Sequence, residues 1–246
     1  MALETRHEDK ITEDVSSRIW TLLGQGIATV LERAKTDNML KEERVSAQIE
    51  GWIVSGQFDL YGFDTLWDYK VVGMMSYKLG LKQEWVAQNS IYAWLLHRNG
   101  FEVKKSQNIL ILRDWVKSKT FDPEYPPAPV HVLDIPLWPL EKTEHYIVQR
   151  IRAHQEALIK PDDALPVCTP EERWERPTTW AVIKGKNKRA YRVFDNESSA
   201  ADMAGAVKGS RIEMRQGGSV RCQSFCRALP FCNIGQSLVK KEAVAA

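Results

Sequence analysis

Residues 44–73 read RVSAQIEGWIVSGQFDLYGFDTLWDYKVVG, and their patterning decides the fold. Val45, Ala47 and Ile49 alternate with polar residues, which sets them on one face of an extended strand. Ile53 and Val54 lead to Phe58, and Leu66 and Trp67 lead to Val71 and Val72. The pattern predicts two or three strands with a turn at Gly62-Phe63-Asp64. Inside it stand Gly56-x-x-Asp59 and, after eight further residues, Asp68-Tyr69-Lys70. Alternate side chains of a strand share a face, so Asp68 and Lys70 point the same way. A hairpin of 53–61 with 66–72 brings Asp59 to Asp68 across the ladder. Two carboxylates and one ammonium then meet at one sheet edge.

That grouping suits hydrolysis of a phosphodiester. Carboxylates hold Mg²⁺ or Mn²⁺, hard ions that prefer oxygen. Such an ion polarises a phosphate and lowers the pKa of its water, while a lysine orients that water or meets developing charge. For so loose a spacing the competing reading is two exposed acids and a salt-bridging lysine at a turn.

Outward from this stretch, Ile19, Leu22, Leu23, Ile27, Val30 and Leu31 recur at helical spacing and predict a helix over 13–34. Another helix is predicted over 83–98, stopped by Asn99-Gly100. The run NILILRDW predicts a buried strand over 108–115. Prolines 123, 126, 127, 129, 136 and 139 then break regular structure, and a helix follows over 141–159. The last part changes in kind: short strands over 179–182 and 190–194, a helix over 198–206, and three close cysteines.

The order of these motifs resembles the PD-(D/E)XK nucleases. Gly56-x-x-Asp59, Asp68-x-Lys70 and a helix carrying Gln88-x-x-x-Tyr92 are similar to the RecB-type branch, to which lambda exonuclease and the CRISPR-adaptation nucleases are related. Arg113-Asp114-Trp115 is similar to phage-encoded members. In the first helix, Gly24, Ala28 and Glu32 fall where that branch often has Gly, His and Glu, so Ala28 departs from the pattern and Glu32 keeps it. The resemblance spans 18–117. It implies a mixed α/β (α+β) fold: a central mixed sheet flanked by helices, a restriction-endonuclease-like core over 1–160, and a small basic module over 161–246. It implies a Mg²⁺- or Mn²⁺-dependent deoxyribonuclease, exonuclease rather than endonuclease, serving phage-like recombination or end processing beside a single-strand-annealing or recombination partner. Asp59, Asp68 and the Tyr69 carbonyl are its implied metal ligands, with Glu32 acting directly or through water. Lys70, Gln88 and Tyr92 are its implied catalytic and positioning groups. The missing histidine at Ala28 keeps open a catalytically weak or inactive protein that binds DNA ends or single strands. A purely structural metal-binding module is a third reading.

Cys168, Cys222, Cys226 and Cys232 are the only cysteines. Three readings stand: free thiols, structural Zn²⁺, or a [4Fe-4S] cluster. Some RecB-type nucleases hold such a cluster with three clustered cysteines and a distant one, and this chain is similar in having three plus one. It differs in its first gap, x₃ rather than x₂, and in placing the distant cysteine after the nuclease motifs. From 182 to 241 twelve Lys and Arg face four acids, a net of +8; with +2 overall, the remainder is net −6. Lys184, Lys186, Lys188, Arg189, Arg221 and Arg227 are therefore candidate DNA-backbone contacts. The opening MALETRHEDK lacks the apolar core of a signal peptide, and no window nears the ~18 apolar residues of a membrane span. The expected location is the cytoplasm, the host's if the chain is phage-encoded.

Overall fold

The computed structural model describes the backbone of residues 2–11, 15–32 and 38–245, and their side chains except at 15–18, 20, 28, 30–32 and 241–245. The chain forms two compact units: 13–154, and 1–12 together with 155–246. The boundary falls within a long helix, a few residues before the division expected at 160/161.

A short helix α1 (Ala2–Arg6) opens the chain, followed by α2 (Val15–Glu32). The first larger unit then adds β1 (Leu40–Lys41), β2 (Arg44–Ile49), β3 (Trp52–Gln57), β4 (Leu60–Gly62) and β5 (Thr65–Val72). After these come α3 (Met74–Leu79), α4 (Gln83–Arg98), β6 (Lys105–Leu112), β7 (Val130–Asp134) and α5 (Leu140–Ile159). Five strands form a mixed sheet in the order β1-β4-β5-β6-β7, with β5 and β6 parallel and every other pair antiparallel. The fold is therefore α/β, with a central mixed sheet flanked by helices and the cysteines near the C-terminus. No helix among the described residues is long and apolar enough to cross a membrane.

The hairpin differs from its expected form. Only Leu60–Gly62 pairs with the front of β5, through a tight turn whose Phe63 and Asp64 both have positive φ (49° and 55°). Trp52–Gln57 instead pairs along its whole length with β2 as a separate two-stranded sheet. The chain crosses from one sheet to the other at Phe58 and Asp59. The physical reason lies in α4, whose two sides want different partners. Trp94 and Leu95 pack with Val45, Ala47, Ile49 and Val54 of the β2–β3 hairpin and with Ile147 and Ile151 of α5. Leu96 packs with Phe58, Tyr61 and Leu66, while Trp85 and Val86 meet Leu110 and Leu112. A helix apolar on nearly all sides must be covered on nearly all sides. The crossing lets one run of chain supply both covers.

The strand expected over 108–115 instead spans Lys105–Leu112. Arg113 and Asp114 turn away from it, and Asp114 Oδ1 accepts the Met74 backbone N–H at 2.7 Å, capping α3. Trp115 donates its indole N–H to the Pro126 carbonyl at 2.9 Å.

The second unit contains β8 (Glu175–Arg176), β9 (Thr179–Lys184), β10 (Arg192–Phe194), α6 (Glu197–Ala206), β11 (Ser210–Arg215), β12 (Gly218–Ser219), α7 (Val220–Ser224) and α8 (Asn233–Ala245). β9 is the centre of an antiparallel three-stranded sheet, β10-β9-β11, and its Ala181, Val182 and Ile183 are buried. The start of the chain belongs to this unit. Arg6 donates to the carbonyls of Ala157, Leu158 and Lys160 at the end of α5, and His7 stacks on Phe231 with ring centroids 4.0 Å apart.

Candidate active site

The register continues the β4–β5 pairing, Leu60 opposite Trp67, so that Asp59 and Asp68 lie at the next step. Asp59 Oδ2 accepts the Tyr69 backbone N–H at 2.5 Å. Asp68 lies on β5 facing α4 and is only 3% exposed. Its Oδ2 meets Lys70 Nζ at 2.6 Å, while its Oδ1 accepts from Gln88 Nε2 at 3.2 Å. Gln88 Oε1 accepts from Lys70 Nζ at 2.9 Å, and Gln88 Nε2 also contacts the Tyr92 hydroxyl at 3.1 Å. One amide thus ties the carboxylate, the ammonium and the phenol together. Gln88 and Tyr92 reach the site side by side because they stand one helical turn apart on α4.

Gly56 has a steric role here. A Cβ on it would lie 2.7 Å from Tyr92 Cε1 and 2.9 Å from Tyr92 Cδ1. The absent side chain lets the tyrosine ring close down on β3.

Burial pushes the Asp68 carboxyl up to about 6; Lys70 opposes that rise, and Asp59 and Glu42 add to it. The Tyr92 hydroxyl is also raised, first by burial, then by Asp68 and Asp59, against the pull of Gln88 and Arg44. The Tyr69 hydroxyl is raised by burial, Asp59 and Glu42.

Glu42 and Arg44 were not singled out in the sequence. Glu42 follows β1 in a left-handed conformation (φ 49°) and donates its backbone N–H to the Asp59 carbonyl at 3.0 Å. Its Oε2 accepts from Gln57 Nε2 at 2.9 Å, and Gln57 Oε1 accepts from Arg44 at 3.2 Å. Arg44 and Gln57 are register partners across β2 and β3. The chain Arg44–Gln57–Glu42 therefore borders the Asp59–Asp68 pair. The residues sit in a polar joint with no motif spacing; only the pairing of β1 with β4 reveals them. Glu32 is the last residue of α2, and its side chain, like that of Ala28, lies outside the described residues.

The donors present are of the right kind for a hard divalent ion: the Asp68 carboxylate on β5, with its buried Oδ2 against the Lys70 ammonium, and the Asp59 carboxylate just before β4. Among the described residues, no three His, Cys, Asp or Glu side chains already form a metal-holding group.

In the second unit Cys222 is buried, Cys226 and Cys232 are half-buried, and Cys168 is exposed; none is in a disulfide. The thiols of Cys168 and Cys222 are raised chiefly by burial; Cys168 is raised further by Glu172, Cys226 and Cys232, and Cys222 by Cys226, Cys168 and Cys232. The fold thus draws the distant cysteine and the three clustered ones into one electrostatic neighbourhood. Arg221 belongs to it too, donating to the Glu172 carbonyl, lying over the Trp174 ring and lowering the Cys168 thiol. Arg227 is exposed on the following loop, and Lys184, Lys186, Lys188 and Arg189 are exposed at the β9–β10 turn.

No family profile and no curated protein matches the chain. Among solved structures it is similar to one described as the crystal structure of SSO0001, at 18% identity and a TM-score of 0.42, over 65% of this chain and 72% of that one.

Proposed function

We propose that the chain is a metal-dependent DNA nuclease whose centre is Asp59, Asp68 and Lys70. The observation that carries this reading is the convergence of a buried Asp68, Lys70, Gln88 and Tyr92 into one bonded group, with Asp59 held across the ladder by the Tyr69 N–H. A structural salt bridge needs neither a buried acid raised to about 6 nor a second acid beside it.

Asp59 and Asp68, with the Tyr69 carbonyl, are the residues that would hold Mg²⁺ or Mn²⁺. When bound, the ion supplies polarisation of the phosphate and a more acidic water. Lys70 carries positive charge to the attacked phosphate and orients the water. Gln88 fixes the lysine's position, and Tyr92 fixes that of Gln88. Glu42 and Glu32 are alternative third acids. The four cysteines are proposed to share an iron–sulfur cluster or a zinc ion, and the cytoplasm is the proposed location. A recombination or single-strand-annealing protein is the proposed partner.

One observation favours a weaker enzyme. Lys70 already neutralises Asp68 at 2.6 Å, so an incoming ion competes with it, and Ala28 offers no imidazole to help. The alternative is a DNA-end or single-strand binder on a nuclease fold.

Incubating end-labelled linear and circular DNA, single- and double-stranded, with Mg²⁺ or Mn²⁺ separates the two. The nuclease reading expects metal-dependent products from the wild type and none from a folded Lys70→Ala variant. Cleavage by that variant at the wild-type rate would falsify it; binding without cleavage favours the alternative.

A further inference from the structure

The three-stranded sheet of the second unit has one strongly cationic end. Lys184 closes β9 opposite Ser210, the first residue of β11. The turn that follows carries Lys186, Lys188 and Arg189, all exposed. The loop before β11 carries Lys208, and the two loops are joined where Gly185 N–H donates to the Gly209 carbonyl at 2.9 Å. Arg211 reaches back from β11 and donates to the Gly185 carbonyl at 2.6 Å. Six cations from two stretches some twenty residues apart in sequence therefore meet at one sheet end. Among the described residues none of the six is ion-paired with an acid, whereas Arg215, further along β11, is paired with Glu213.

Concentrating six like charges without acids between them is costly unless an anion completes the surface. The other members of the turn are Gly185, Asn187, Ala190 and an exposed Tyr191, so a single aromatic ring is all it offers an apolar partner or a bilayer, whereas such a ring beside cations also suits stacking by a nucleic-acid base. Lysine is depleted from protein–protein interfaces and prevalent among nucleic-acid phosphate contacts. We infer that this sheet end, formed by Lys184, Lys186, Lys188, Arg189, Lys208 and Arg211, is a surface that holds the phosphodiester backbone of a nucleic acid without reading its sequence. Arg221, engaged at the cysteines, is not part of it. The surface gives the chain a hold on nucleic acid separate from the Asp59–Asp68 site, and it stands whether or not that site cleaves.

The test is fluorescence anisotropy of the full chain with labelled single- and double-stranded oligonucleotides, without added divalent ion so that no cleavage intervenes. The triple variant Lys186→Ala/Lys188→Ala/Arg189→Ala is expected to bind at least about tenfold more weakly. Its log–log salt slope between about 50 and about 200 mM should fall by about two to three. A second variant, Lys208→Ala, is expected to lower the slope by about one. Lys117→Ala/Lys119→Ala, exposed cations of the other unit, is the control for net charge and should bind as the wild type does. The inference is overturned if the triple variant keeps the wild-type affinity and slope while retaining its far-UV circular dichroism. An equal loss in the control overturns it too. So does a wild type that ignores both oligonucleotides yet binds phosphatidylserine vesicles, or pairs with a second copy of itself, through the same lysines.

Discussion

The ring of Tyr92 rests on the backbone of Gly56 so closely that a single methyl group there would stand 2.7 Å from Cε1. Since Tyr92 holds Gln88, and Gln88 holds both Lys70 and Asp68, this glycine shapes the site without touching its chemistry. Gly56→Ala is expected to cost about 1–3 kcal/mol in urea denaturation, as overpacking does. It should also reduce cleavage by displacing the tyrosine. Combining it with Tyr92→Leu should recover part of the stability. If the two losses simply add, the contact is not the cause.

The pH dependence of stability follows from Asp68. Its folded-state pKa of about 6 lies above its ordinary 3.8, so the folded chain holds this proton more tightly than the unfolded one. Protonation thus favours folding. The contribution is fully present below about pH 4, declines as pH rises towards 6, and is absent above. In the metal-free chain the decline amounts to up to about 3 kcal/mol. Asp68→Asn should flatten the curve over that window. An unchanged slope between pH 4 and 6 in the variant would assign the effect to other groups.

Much of the first unit was legible in the chain itself. The bounds of α4 follow from its hydrophobic content and its Asn99-Gly100 stop, because both signals are local. Strand pairing is not local. The alternation in 44–57 marks extended chain, yet nothing in it says that β3 pairs with β2 and leaves β5 to Leu60–Gly62. β7 was missed because Val130–Asp134 is a short edge strand between prolines, and β11 because Ile212 and Met214 alone carry its apolar pattern. Asp59, Asp68, Lys70, Gln88 and Tyr92 could be picked out because fixed spacings place them. Glu42 reaches Asp68 through sheet topology, which no spacing encodes.

Glu42 raises the Asp68 carboxyl, so removing its charge should move that group down towards its ordinary range. Glu42→Gln is expected to reduce cleavage about tenfold to a hundredfold, mainly by raising the metal concentration required, as loss of a group supporting ligands does. Glu32→Gln is the comparison. An effect confined to Glu32→Gln would place the third acid on α2 and leave Glu42 with a structural role.

Asp114, in the Arg-Asp-Trp run, holds the first backbone N–H of α3. Asp114→Ala should cost about 1 kcal/mol, the usual loss on removing a helix cap, and Asp114→Asn less. Cleavage by the folded Asp114→Asn variant should stay near that of the wild type. A hundredfold loss at full stability would instead bring Asp114 into the reaction.

The cysteines allow a test that does not depend on DNA. Burial holds the Cys168 and Cys222 thiols above their ordinary range, and each is raised again by its neighbours. Thiols that raise one another in this way favour a bound cation, because deprotonation of each is otherwise opposed by its neighbours. Iron or zinc should therefore copurify with the chain. Its removal by acid and chelator should lower stability by about 2–3 kcal/mol if the metal is present at about a hundredfold above its dissociation constant. Thiol reactivity should move the opposite way, with few groups modified in the loaded protein and four after removal. Cys226→Ser should lose the metal while Asp59→Ala keeps it, since the carboxylate centre belongs to the other unit. A metal-free protein as purified, with all four thiols reacting at once, would show instead that the group consists of free cysteines.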